Sequence, residues 1–195
     1  MKRTGLFLVA AILLWAALTL WAETKGGSKQ NIMGAGNTQG LVLIVYDPDP
    51  FYNLDEQVCM AMGEVLAKAG YTVTVSTVAA AKDTPATADL FIFCANTYNW
   101  RPDWAVTSFI KKTPLQNKKV AAITLGAGST SASQKALENL LQKSGAVVLA
   151  SRPYWLWRPN DERRKETNVA VAVSMAQAWA QELGTQLQQS NTGKY

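Results

Sequence analysis

The sequence predicts an α/β fold: an open parallel sheet with helices on both faces. Short continuous apolar runs recur along the chain: LVLIVY at 41–46, YTVTV at 71–75, ADLFIFC at 88–94, KKVAAITL at 118–125 and AVVLA at 146–150. Runs of this kind suit strands buried on both faces of a parallel sheet. Stretches of helical period alternate with them, which implies crossover connections. The chain of 195 residues is also long enough for one domain with a sizeable core. Five strands permit the order 2-1-3-4-5 in a three-layer sandwich. In such a sheet, ligands bind beyond the carboxyl ends of the strands, at the switch point between the first and third.

The elements follow in order. MKRTG is a basic start, and residues 6–22 are 17 residues without a charge. That length just reaches the roughly 17–25 residues of a spanning helix and exceeds a usual signal-peptide core. Residues 1–22 therefore read as a signal anchor or, alternatively, a cleaved signal peptide. Lys2 and Arg3 favour an inside N-terminus. This expectation puts the domain outside the cytoplasm: membrane-anchored through residues 6–22, or secreted or periplasmic if the segment is cleaved. Residues 23–40, rich in Gly and polar residues, read as a flexible linker. Gly34-Ala35-Gly36 precedes the first strand, so it is no dinucleotide fingerprint.

The domain proper is expected over 41–184. After the first strand, DPDPFYN leads into a helix. Asn53 with Glu56 has the spacing of a capping box, and Gly70 marks the end. Residues 76–87 suggest a loop with a short helix. PDWAVTSFIKKT at 102–113 predicts a helix ending on Lys111 and Lys112, the favourable end for cations. Ser131 and Gln134 suit the start of the helix that carries Leu137, Leu140 and Leu141. A final helix is expected from about Thr167 to Leu183, and residues 185–195 read as a polar tail.

Composition removes several chemistries. The chain has no His, which excludes Ser–His–Asp catalysis and His-based zinc sites. The net charge of +5 comes without a long basic run, so no nucleic-acid footprint is indicated. Cys59 and Cys94 both lie in apolar runs and read as buried thiols, or as one disulfide in an exported domain. Asp47 and Asp49 make too thin a pair for a hard cation. No catalytic nucleophile–base pair emerges.

One loop stands out. Asn96, Thr97, Tyr98, Asn99, Trp100 and Arg101 follow the third strand directly. With DLFIFCANTYNWRP, then DWAVTSFI, then KKVAAITLGAG, the chain resembles the flavodoxin-like family over residues 41–184. Thr97, Tyr98, Trp100, Arg101 and Pro102 stand in comparable places, with Asn96 where the family often has Pro. The resemblance implies that this loop lies against the isoalloxazine ring of FMN, with Tyr98 or Trp100 flanking it. It also implies that backbone around Gly126, Ala127 and Gly128 approaches the ring's polar edge, and Asn53 stands where the family's Asn can lie. The first loop departs from the family. Asp47-Pro48-Asp49-Pro50-Phe51-Tyr52-Asn53 lacks Gly, Ser and Thr, and its prolines withhold amides. Arg101 and Arg152 are the candidate replacements for a phosphate site. Trp155 and Trp157, two apart, are expected to point the same way, as a ligand wall, a partner surface or a lid.

Two functions follow from the resemblance. The first is a membrane-associated redox module that binds FMN or another flavin and exchanges electrons with a partner protein or quinone, as an electron-transfer flavoprotein or flavin-dependent reductase. The second is a domain that has lost FMN and serves as an interaction module.

Overall fold

The computed structural model describes residues 2–24, 26–37, 39–81 and 87–192. Five parallel strands form the centre of the sheet: β2 (Leu41–Tyr46), β3 (Thr72–Thr77), β4 (Leu90–Tyr98), β6 (Lys119–Gly126) and β7 (Val147–Trp155). Their spatial order is β3-β2-β4-β6-β7, which is the expected 2-1-3-4-5. Both faces are covered, which is why the strands read as unbroken apolar runs. Val42, Ile44, Leu90, Ile92 and Cys94 face α2 (Leu54–Lys68) and α6 (Asn168–Thr192). Leu43, Val45, Phe91, Phe93 and Ala95 face α4 (Trp104–Lys112) and α5 (Ser131–Lys143). A residue's parity along the strand decides its layer. Cys59 and Cys94 are buried free thiols.

Several elements differ from expectation. The segment read as a linker contributes β1 (Gln30–Met33), which pairs antiparallel with β3 and covers its open edge. β7 runs five residues past the expected end at Ala150. α6 continues to Thr192 through the expected polar tail, with Leu187 buried on the core. Residues 78–81 form a short helix, α3, and 82–86 lie outside the described residues.

The caps also differ. Asn53 makes no capping bond to the backbone; its Oδ1 accepts from Gln57 Nε2. Glu56 pairs instead with Lys29 from the β1 segment. The α5 cap is Thr130, whose hydroxyl accepts from the Trp155 indole rather than from an amide.

The largest correction concerns residues 6–22. They form a helix, α1 (Lys2–Thr24), but no helix among the described residues is long and apolar enough to cross a membrane. The C-terminal part of α1 is committed to the domain. The Trp15 indole donates to Asn99 Oδ1, Thr19 Oγ1 accepts from Asn99 Nδ2, and Glu23 accepts the Trp104 amide. Trp21 meets Phe51 edge-on with ring centroids 5.3 Å apart, and Ala22 is buried. The membrane anchor is therefore set aside, and with it the extracytoplasmic placement drawn from that segment.

Candidate functional site

The carboxyl ends of β2, β4 and β6 bring three loops together at the switch point. Asn96, Thr97 and Tyr98 end β4; Leu125, Gly126 and Ala127 end β6; Asp49, Phe51 and Tyr52 come from the β2–α2 loop. They enclose a cavity of ≈ 240 Å³, which Leu156 and Trp157 complete from the β7–α6 connection. The walls are mostly apolar and aromatic. Tyr52 and Trp157 meet edge to face, with ring centroids 6.2 Å apart.

Gly126 is small because it must be. A Cβ there would lie 2.7 Å from Thr130 Cγ2 and 3.3 Å from Thr97 Cβ. Beside it, the buried Thr97 hydroxyl has no hydrogen-bond partner among the described residues. A buried hydroxyl without a partner is costly, and a ligand carbonyl or ring nitrogen would satisfy it.

The loop around β4 is held by buried carboxylates. Asp103 caps α4 by accepting the Val106 amide at 2.7 Å, and it also accepts the Asn96 amide at 2.9 Å. Burial raises its pKa well above the usual carboxylate range, opposed by those two amides. The Asn96 side chain then spans the site floor, donating to the Asp47 carbonyl and to Asp55 Oδ2. Asp47 itself is buried beneath the chain that leaves α1, where a Cβ on Gly26 would meet its Oδ1 at 2.5 Å. Burial first, then the charges of Asp55 and Glu23, push Asp47 up to about 6. Burial likewise pushes Asp55 up to about 6, against the bonds it accepts from Asp49, Asn96 and Glu56.

Asp49 has a different role. Its Oδ1 accepts the Phe51 amide at 2.6 Å and the Tyr52 amide at 3.1 Å, and its Oδ2 accepts the Tyr98 hydroxyl at 2.7 Å. Its own amide donates to Asp55 Oδ2 at 2.6 Å. Among the described residues no group of acidic or Cys side chains is arranged to hold a metal ion.

The residues singled out from sequence do not all meet. Asn96, Thr97, Tyr98, Gly126 and Ala127 line the cavity. Asn99 lines a neighbouring hollow of ≈ 250 Å³ beneath Trp15, Leu18, Thr19 and Ala22 of α1, so this helix lies beside the cavity mouth. Asn53 lies on the outer groove of the β2–α2 loop. Trp100 is at the tip of a two-residue hairpin between β4 and β5 (Arg101–Pro102), 70% exposed and off the cavity. Arg101 is exposed beside it, and Gly128 lies past the cavity edge. Arg152 is paired with Glu182 and stacked over the Trp179 ring on the α6 face, so it serves no site at the strand ends.

Phe51, Tyr52, Leu54 and Leu156 also line the cavity and were not foreseen as site residues, whereas Trp157, read from sequence as a ligand wall, a partner surface or a lid, does line it. Trp155 and Trp157 part company because the strand ends between them. Trp155 turns to Thr130 under Arg158, while Trp157 reaches the cavity.

No family model matches the sequence, and no curated protein matches it. Solved structures do. A flavodoxin from the domain Archaea superposes with a TM-score of 0.55 at 12% identity, over 74% of this chain and 99% of that one. The two-electron reduced flavodoxin of Megasphaera elsdenii matches with a TM-score of 0.53 at 17% identity, over 69% and 98%. The metal-soaked Flv1 flavodiiron core from Synechocystis sp. PCC6803 matches with a TM-score of 0.56 at 15% identity, over 77% of this chain and 36% of that one. The chain has the flavodoxin-like fold.

Proposed function

We propose that this flavodoxin-like domain binds a flavin ring in the cavity at the switch point and exchanges electrons through it with a redox partner. The observation that carries the reading is the cavity itself. It lies at the carboxyl ends of β2, β4 and β6, between aromatic walls, with the Thr97 hydroxyl, without a partner among the described residues, at its side and Gly126 where no side chain fits. These features fit a flat heteroaromatic ring. A bound flavin would supply the redox chemistry. The chain's own residues would orient the ring. Tyr98 and Trp157 would wall it, Thr97 and the Gly126–Ala127 backbone would meet its polar edge, and α1 beside the mouth would limit access of water.

The neighbours' names support the flavin class, since flavodoxins recur among them. A second reading, an interaction domain without flavin, is favoured by one feature: the acidic β2–α2 loop. Titrating the full chain with riboflavin and with FMN, followed by flavin fluorescence, separates the two. Saturable quenching by either flavin supports the redox reading. No binding of either favours the interaction domain.

A further inference from the structure

We propose that the cavity selects an uncharged flavin ring, of the riboflavin type, over its phosphorylated form. The inference rests on the flavin reading and adds what the β2–α2 loop will accept. A phosphate needs free amides or cations within reach of the ring. Here four of the amides between Asp49 and Glu56 are already spent. Those of Phe51 and Tyr52 go to Asp49 Oδ1, that of Asp49 to Asp55 Oδ2, and that of Glu56 to Asp55 Oδ1. Pro48 and Pro50 have none to give. The Asp49 carboxylate thus sits, as a built-in anion, on loop amides that an incoming anion would otherwise use.

Charge adds to this. Asp47 and Asp55 lie buried behind Asp49, and Glu23 comes over from α1. The nearby cation Lys29 is paired with Glu56. Size points the same way: ≈ 240 Å³ falls below the roughly 300–1,000 Å³ of sites that enclose a whole drug-sized ligand. One ring system fits; the phosphate-bearing tail would have to leave across a carboxylate. Tyr98 closes the arrangement by donating to Asp49 Oδ2, so the group that walls the ring also holds the carboxylate in place.

The test is a pair of titrations of the full chain in one buffer, with riboflavin and with FMN. Riboflavin should bind at least as tightly as FMN. As salt is raised, FMN should gain on riboflavin, because screening relieves repulsion. The Asp49→Asn variant keeps Oδ1 for the two amides and offers Nδ2 to the Tyr98 oxygen, and it should raise FMN relative to riboflavin by about tenfold. FMN binding tighter than riboflavin in the unmodified protein, with a preference that salt weakens, overturns the inference and leaves the flavin reading standing. Failure of both flavins to bind removes the flavin reading and the inference with it.

Discussion

The Tyr98 hydroxyl donates to Asp49 Oδ2 at 2.7 Å, and this one bond ties the end of β4 to the β2–α2 loop across the cavity. Burial, then the bond to Asp49, raises the Tyr98 pKa, so the phenol stays a donor through the neutral range. Tyr98→Phe removes the bond and keeps the ring. A bond to a charged acceptor contributes about 1.5–3 kcal/mol when buried, so this half-buried one is expected to cost about 1–2 kcal/mol. A lower urea midpoint at unchanged m-value is the expected readout. Riboflavin affinity should hardly move, because the wall is still aromatic.

Asp103 organises two structures at once. It caps α4 through Val106 and fixes the first residue of the site loop through the Asn96 amide. Asn in its place can accept with only one atom, and turns an NH2 toward the other amide. Asp103→Asn is expected to cost about 2–3 kcal/mol, a lost cap plus an unsatisfied buried donor. Denaturant unfolding checks the total. Faster amide exchange at Asn96 would locate it.

The buried carboxylates make stability depend on pH in an unusual direction. Asp47 and Asp55 rise from an ordinary 3.8 to about 6 in the folded protein. Between those values the native state holds more protons than the unfolded chain, so stability falls as pH rises. It is highest below about 4 on account of these groups, and the loss is complete above about 6. The surface pairs Asp161–Arg163 and Arg164–Glu166 pull the other way, but they lie in solvent and are screened. Asp47→Asn is expected to stabilise the fold at pH 7 by roughly 1–2 kcal/mol, after discounting for water near the site, and to flatten the slope between pH 4 and 6. Thermal midpoints across that range test both.

These features differ in how far the sequence disclosed them. The five parallel strands were readable because each is buried on both faces, which leaves a run without polar interruption. β1 was not: QNIM is four residues with only Ile32 and Met33 apolar, and it is held by β3 rather than by its own pattern. The extension of β7 was hidden because Ser151, Arg152 and Pro153 look like a loop, and pairing with β6 overrides that appearance. The strand order located the 96–98 and 126–127 ends of the site. The Asp49 role had a local signal, an Asp before Pro with two amides following, which is the pattern of a side chain bonding its own backbone. The docking of α1 had none, since Trp15, Thr19 and Glu23 find their partners some 80 residues away.

The two exposed tryptophans near the site should behave oppositely. Trp100 occupies the second turn position between Tyr98 and Arg101, with φ of 61° after Asn99 at 49°. Both values belong to the mirror-image hairpin turn, in which Asn followed by Gly is favoured. A tryptophan held there costs about 1–2 kcal/mol against glycine, partly returned by the greater freedom glycine has in the unfolded chain. Trp100→Gly is therefore expected to raise stability by about 0.5–1 kcal/mol. It should leave riboflavin affinity unchanged, because the ring is not in the cavity wall. Trp157 is equally exposed but lines the cavity and meets Tyr52. Trp157→Ala should change stability by less than about 0.5 kcal/mol, as surface substitutions do. It should weaken riboflavin by about five- to tenfold, the scale of one aromatic contact. Unfolding curves and fluorescence titrations on the same two variants give all four numbers. A loss of affinity in the Trp100 variant with none in the Trp157 variant would move the ring out of the cavity and onto the hairpin tip.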